Sequence, residues 1–319
     1  MVGTGLMLEL IGHDFARTEN VDMRVIVSRT QERADAAAAL YGFPEASADF
    51  DAVLQRADID VVYIATPHTL HFPQAMAALE AGKHVLVEKS MTTSAARTRE
   101  LCAFAAARGL FAMEAMWTAF NPAIVEMRRR ITEGLIGDVQ LVQSNFCTAP
   151  AYRADWRLWA KDLAGGSTLD QGVYTLSLAH MLLGAPTSIR AHGTVMHEVD
   201  GEVVATLEYA SGQRAVCING LRAYSPLTAF VAGSTGTIEI PGQFWNPAGF
   251  TQTTYDGANA TTTDYTYRRE GAGYVPMLRA VSEAVLGGAI EHPLRTHADS
   301  IAVAESMDAV LQQVLGSQG

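Results

Sequence analysis

The stretch IDVVYIATPHTLHFPQAMAALEAGKHVLVEKS, residues 59–90, decides the fold. Residues 59–65 are a nearly uninterrupted apolar run closed by Thr66 and Pro67, the pattern of a strand buried on both faces. Residues 72–80 carry a helical pattern that Gly82 stops, and residues 84–87 form a second apolar strand. A buried strand, a helix and another buried strand in such short compass make a parallel βαβ unit.

The same rhythm extends outward on both sides. Residues 23–27 read as a strand and 32–41 as an alanine-rich helix, while residues 94–108 and 110–113 add a helix and a strand. The first third is therefore expected to be a doubly wound parallel sheet. After Phe120 the pattern changes to helix 122–132, strand 139–145, a break at Gly165-Gly166 and helix 169–183, ended by Gly184-Ala185-Pro186. Residues 188–240 alternate like strands with turn signals, and helices 274–286 and 298–315 close the chain. This predicts an α/β chain in two domains. Residues 1–119 are expected to form the parallel-sheet domain, and residues 120–319 an α+β domain with a large, mostly antiparallel open sheet.

A chain of 319 residues is too long for one ordinary core, and 49% hydrophobic with 18% charged residues is globular composition. A net charge of −11 argues against nucleic acid or an anionic membrane as partner, though it leaves room for a local phosphate site. Cys102, Cys147 and Cys217 are widely spaced, which argues against a disulfide framework and for a reducing cytoplasm. No apolar run is long enough to span a bilayer, and no signal-peptide layout opens the chain.

Gly3-Thr4-Gly5 precedes a helical stretch, as in a turn that lets backbone approach a pyrophosphate and hands it to a helix N-terminus. The strand after it ends in Ser28-Arg29, where an NAD site would carry a carboxylate. A hydroxyl and guanidinium there, with Arg33 one helical turn on, suit a 2′-phosphate, so NADP is the expected cofactor and NAD the alternative. The plain alternative for Arg29 and Arg33 is a solvated helix face. Only Met1 and Val2 stand before Gly3. The strand that should enter the glycine turn is thus expected to be absent, leaving unpaired backbone beside it, either because the gene is read from a late start or because the fold is completed in another way.

Three segments place polar groups at the carboxyl ends of parallel strands, where open α/β sheets bind ligands: Thr66-Pro67-His68 to His71, Glu88-Lys89-Ser90, and Glu114 to Trp117-Thr118. In the second half, Gly165-Gly166 is followed by Asp170 and Tyr174, which share a helix face at i and i+4. Together these segments resemble the glucose–fructose oxidoreductase / inositol dehydrogenase (Gfo/Idh/MocA) family, and within it the dimeric dihydrodiol dehydrogenase and NADP-dependent xylose dehydrogenase branch. The resemblance covers nearly the whole chain and is strongest over residues 61–117. It implies a Rossmann-type first domain, with Lys89 matching the lysine of the family's Glu-Lys-Pro motif near the nicotinamide and Ser90 replacing the proline. It further implies that Thr66, Pro67, His68, His71 and Glu88 lie toward the cofactor, that Asp170 and Tyr174 face the substrate, and that Trp117 adds aromatic surface there. Trp156-Arg157 resembles a segment near the cofactor. Ala119 replaces an arginine of the branch. The competing reading of Trp117 is core packing, and of His180, also a candidate at the substrate, a structural or rim position.

The expected reaction moves a hydride between a nicotinamide and a substrate carbon, so a proton must move at the oxygen. A phenol with an ordinary pKa near 10 is a poor base at neutral pH, and a nearby ammonium lowers that value. Tyr174 is therefore cast as general acid/base, Lys89 as its electrostatic partner and donor to the substrate oxygen, and Asp170 as the orienting group; Lys89 could carry the proton itself. The substrate is a sugar, polyol or cyclic diol with a secondary alcohol. The other reading is a non-catalytic NADP(H)-binding regulator of the same fold. No His/Cys/Asp spacing points to a catalytic metal. A homodimer or homotetramer through the second-domain sheet is the expected assembly.

Overall fold

The computed structural model describes residues 1–316. The chain falls into two compact units. One joins Met1–Trp117 to Arg269–Ile301, and the other joins Thr118–Arg268 to the chain from Ala302 onward. The break after Trp117 lies within two residues of the boundary expected at 119/120. The return of residues 269–301 to the first unit is a departure from a linear division, and polar ties account for it. Buried Asp14 accepts from the amides of Ala272 (3.0 Å) and Tyr274 (3.0 Å), and Glu114 is paired with Arg295.

In the first unit, α1 (Leu6–Phe15), β1 (Val25–Val27), α2 (Gln31–Tyr41), β2 (Glu45–Ser47), α3 (Phe50–Leu54), β3 (Val61–Ile64), α4 (His68–Glu80), β4 (His84–Glu88), α5 (Ala95–Arg108) and β5 (Ala112–Ala115) follow in order. Strands β1 and β2 pair in parallel, as do β3, β4 and β5. The gap expected between the two groups is bridged by residues 1–3. Val2 pairs with Val27 on one side and Ile64 on the other, both in parallel sense. The amide of Val2 reaches the Tyr63 carbonyl at 2.8 Å and its carbonyl takes the Ala65 amide at 2.8 Å, while Val27 and Gly3 close the other side. Three residues therefore satisfy the groups that open backbone would have exposed, and the sheet reads β2-β1-residues 1–3-β3-β4-β5. Helix α4 begins at His68, four residues before the expected start, because Pro67 opens it at the N-cap and Pro73 is accommodated inside it.

The second unit begins with α6 (Pro122–Thr132), β6 (Val139–Cys147) and a π-helical turn over Thr168–Gly172 that runs into α7 (Val173–Leu183). Strands β7 (Ser188–Met196), β8 (Val199–Glu208), β9 (Arg214–Gly220), β10 (Ala229–Gly233), β11 (Gly236–Ile240), β12 (Gly249–Asp256) and β13 (Asn259–Thr266) follow. With β6 they make an eight-stranded sheet in the order β13-β12-β11-β10-β6-β9-β8-β7, antiparallel except for β6 with β9. Helix α7 packs on β6 and β9, so Val142, Ala215 and Cys217 are buried beneath it. Helix α8 (Val275–Leu286) belongs to the first unit, and α9 (His297–Gly316) runs on into the second. No helix among the described residues is long and apolar enough to cross a membrane.

Candidate active site

The glycine turn is built by close approach. Gly3 sits at φ +109°, and a Cβ there would lie 2.4 Å from the Ala65 carbonyl oxygen, so only glycine fits beside β3. Gly5 caps α1 with no side chain and open space around it, which leaves the first-turn amides of a ten-residue helix facing outward for an anion. Thr4 and Ser28 hydroxyls bond each other at 2.8 Å. Arg29 and Arg33 are exposed, and among the described residues their guanidinium groups make no ion pair or hydrogen bond. A recess of about 260 Å³ lined by Thr4, Gly5, Leu8, Glu9, Arg33 and Tyr41 lies alongside. A turn with glycine on either side of Thr4, a helix start with open space at its cap and two uncommitted cations fit the phosphates of a dinucleotide.

Lys89, half-buried, leaves the end of β4 on a loop fixed at three consecutive residues. The Lys89 amide donates to Glu88 Oε2 at 3.2 Å, the Ser90 carbonyl faces His71 Nδ1 at 2.9 Å, and the Met91 amide donates to Glu114 Oε1 at 2.9 Å. The Lys89–Ser90 peptide is cis. The other His71 nitrogen faces the Thr66 carbonyl at 2.8 Å, and burial lowers the pKa of this ring against the pull of both carbonyls. His71 is thus a tie between the two strand-end loops, with both nitrogens engaged inside the protein. His68 is buried with its ring edge-to-face against His71 at 5.5 Å, and Thr66 donates to Gln74 at 2.7 Å. Pro67 is the N-cap of α4. Glu88 is 3% exposed; burial raises its pKa to about 7, opposed by the hydrogen bond it accepts from Tyr63. Both oxygens are engaged, one by Tyr63 and one by the Lys89 amide, so Glu88 lies under the loop. Trp117, 7% exposed, stacks on Tyr274 with centroids 4.0 Å apart, which is a packing contact.

The second unit carries the other named residues. Asp200, buried, accepts from Ser167 Oγ at 2.9 Å and the Thr168 amide at 2.6 Å, capping the π-helical turn; burial raises its pKa against these donors. Gly166, at φ +113°, is required there because a Cβ would fall 2.0 Å from an Asp200 oxygen. Asp170 lies within the π turn and Tyr174 in the first turn of α7, and π turns recur at functional sites. Asp170 accepts from Arg157 at 2.9 Å, which gives the carboxylate a fixed direction. Tyr174, 7% exposed, has its ring beside Phe146 (5.6 Å) and Trp245 (5.9 Å), which stack on each other at 3.8 Å. Phe146 and Trp245 are only half-buried, and sequence reasoning passed over both. Phe146 was legible only as the continuation of a strand, and Trp245 stands in a loop without a motif. His180 is buried, with Nε2 2.8 Å from Ser306 Oγ, a bond that ties α7 to α9.

Comparison with known proteins bears on both units. Residues 1–116 match the model of the oxidoreductase family with an NAD-binding Rossmann fold, and residues 124–239 match the GFO/IDH/MocA C-terminal domain. Trans-1,2-dihydrobenzene-1,2-diol dehydrogenase of Xenopus laevis is 32% identical over 304 residues, 92% of this chain and 91% of that one. A scyllo-inositol 2-dehydrogenase (NADP(+)) of Bacillus subtilis is 33% identical over 247 residues, 75% of this chain and 74% of its own. Among solved structures, a 3-ketoreductase of Actinomadura kijaniata in complex with NADP and TDP-benzene superposes with a TM-score of 0.87 at 28% identity, covering 98% of this chain and 96% of that one. The glycine turn, the pinned lysine loop and the match of both units to paired family domains lead to one assignment: this chain is a member of the Gfo/Idh/MocA family of NAD(P)-binding oxidoreductases.

Proposed function

We propose that the protein is an NADP-linked dehydrogenase or reductase acting on a secondary alcohol of a sugar, polyol or cyclic diol. Its relatives are enzymes of that chemistry by name, which favours catalysis over a purely regulatory nucleotide binder. The observation that carries the reading is the setting of Tyr174. It is a buried phenol on a capped π-to-α junction, with an oriented carboxylate at Asp170 and a half-exposed aromatic stack, Phe146 and Trp245, beside it. Aromatic faces of this kind suit the apolar side of a pyranose or a cyclic diol.

A bound nicotinamide would supply or accept the hydride. The glycine turn and the N-terminus of α1 would hold its pyrophosphate, and Ser28, Arg29 and Arg33 a 2′-phosphate. In the direction of alcohol oxidation Tyr174 takes the hydroxyl proton, and in reduction it returns it. Lys89, as an ammonium, is the proposed donor to the substrate oxygen. Asp170, steered by Arg157, sets direction in the second unit's share of the residues.

The free, buried cysteines agree with a cytoplasmic protein. We also assign a homodimer or homotetramer to the outer face of the large sheet. Val204 is 44% exposed there beside Ile218, and half-buried Phe230 and Val216 both flank Gln143. The deciding experiment is nicotinamide absorbance with aldoses, inositols and trans-diols, each with NADP and with NAD. Turnover of at least one alcohol is expected, faster with NADP. NADPH binding without turnover of any of them would overturn the catalytic reading.

A further inference from the structure

Beneath Lys89 lies a buried polar group that the proposed chemistry does not use. Tyr63, in the middle of β3 and 5% exposed, donates its hydroxyl proton to Glu88 Oε1 across the β3–β4 pair. The opposite oxygen, Oε2, accepts the main-chain amide of Lys89. Phe15 of α1 meets the Tyr63 ring edge-on at 5.9 Å. The carboxyl is therefore a strut with one end on β3 and the other on the first residue of the loop. A carboxylate accepts at both oxygens, whereas a carboxylic acid keeps one accepting oxygen and turns the other into a donor, so the bond to the Tyr63 oxygen must reverse and lose its charge assistance.

We propose that Tyr63 is a positioning residue for Lys89: by fixing the Glu88 carboxyl it sets where the lysine leaves β4. The inference rests on the reading that Lys89 acts at the reacting oxygen. It adds a state dependence, because the ionised form of Glu88 accepts two charge-assisted hydrogen bonds and the acid form neither. Burial raises the pKa of Glu88 to about 7, and the Tyr63 hydrogen bond is the largest influence opposing it. The charged and titratable groups around this carboxyl are Tyr63 on β3, Lys89 on the loop, and Glu114 on β5 with its partner Arg295; His71 on α4 holds the next loop residue. Lys89 favours the carboxylate and Glu114 disfavours it.

The direct test is Tyr63→Phe, which deletes one oxygen from a packed ring, followed in the direction of carbonyl reduction. In that direction the proton donor is lost at high pH, which leaves the acid limb of the kcat profile to Glu88. The variant should lose about ten-fold in kcat at neutral pH, the size expected for one hydrogen bond to a charged acceptor. The KM for NADPH should change little, and the acid limb should move to higher pH because the carboxylate has lost a donor. Wild-type kcat with an unmoved acid limb in a folded Tyr63→Phe protein would overturn the inference. If that variant does not fold, Glu88→Gln decides: loss of kcat with disappearance of the acid limb supports the strut, and retention of both overturns it. Lys89→Ala separates this inference from the reading beneath it. Full activity in Lys89→Ala removes the lysine from the chemistry, whereas an inactive Lys89→Ala beside a wild-type-like Tyr63→Phe removes only the strut.

Discussion

Replacing Arg295 by Met tests what holds the loop from the other side. Arg295 and Glu114 are each 2% exposed. The guanidinium grips Glu114 Oε2 through Nε at 3.1 Å and through Nη2, leaving Oε1 to the Met91 amide at 2.9 Å. Methionine fills much of the stem volume but leaves a buried carboxylate with one backbone donor and no counter-charge. Removing one partner of a buried pair costs about 3–5 kcal/mol, far more than the loss of an exposed, solvent-screened pair such as Arg153 with Asp155. For a unit of this size that is a fall in Tm of roughly 10 °C. Urea and thermal unfolding followed by circular dichroism would measure it. The double variant Glu114→Leu with Arg295→Met should recover more than half of the loss, since no charge is then left buried. A single-variant loss below about 1 kcal/mol, or a double variant no more stable than the single, would refute the claim that this pair is electrostatically closed.

Other outcomes follow from the same structure. Tyr174→Phe should lower turnover by roughly two or more orders of magnitude with NADPH affinity nearly unchanged, read by steady-state rates and nucleotide fluorescence. Arg29→Asp should move the kcat/KM preference from NADP toward NAD, because a carboxylate repels a 2′-phosphate and accepts from ribose hydroxyls. Glu88, held near 7 by burial against an ordinary 4.5, favours the fold while protonated, so that contribution is complete below about pH 4.5 and is lost as the pH rises through 7. Glu88→Gln should therefore gain stability relative to wild type between pH 5 and 8, by up to about 3 kcal/mol, in paired melts across that range. Val204→Lys, placed on the outer sheet face, should leave the fold intact and shift sedimentation toward monomer.

Most of the parallel sheet was legible because β1, β3, β4 and β5 are largely apolar runs between helices with ordinary stop signals, α2 ending at Gly42 and α5 at Gly109 in left-handed conformation, whereas β2, with Glu45 and Ser47 at its ends, shows no such run. Residues 1–3 defeated the pattern because three residues are too few to show periodicity, yet they suffice to pair on both sides. The π turn was invisible for a related reason: one extra residue per turn keeps Asp170 and Tyr174 near one face, so an α-helical reading gives almost the same geometry. Lys89 was marked by its motif, whereas Tyr63, Arg157, Asp200 and Trp245 owe their positions to partners distant in sequence, such as Asp170 for Arg157 at 13 residues and Phe146 for Trp245. His71 and Glu88 were legible as residues of the site but not as supports, since burial and hydrogen bonding are properties of the folded neighbourhood.

The division of the first unit between two stretches of chain has a consequence for how the molecule is made. Glu114 and its guanidinium are 181 residues apart, and Asp14 waits 258 residues for the Ala272 amide. At a ribosomal pace of about 5–20 residues per second, the strands of the sheet stand for roughly 10–40 seconds before their last ties emerge. During that interval the nascent sheet carries Glu114 and Asp14 without the partners that later close around them. The whole intervening sheet of the other unit is synthesised meanwhile, so the lysine loop gains its final anchor only after Arg295 has followed it out of the ribosome.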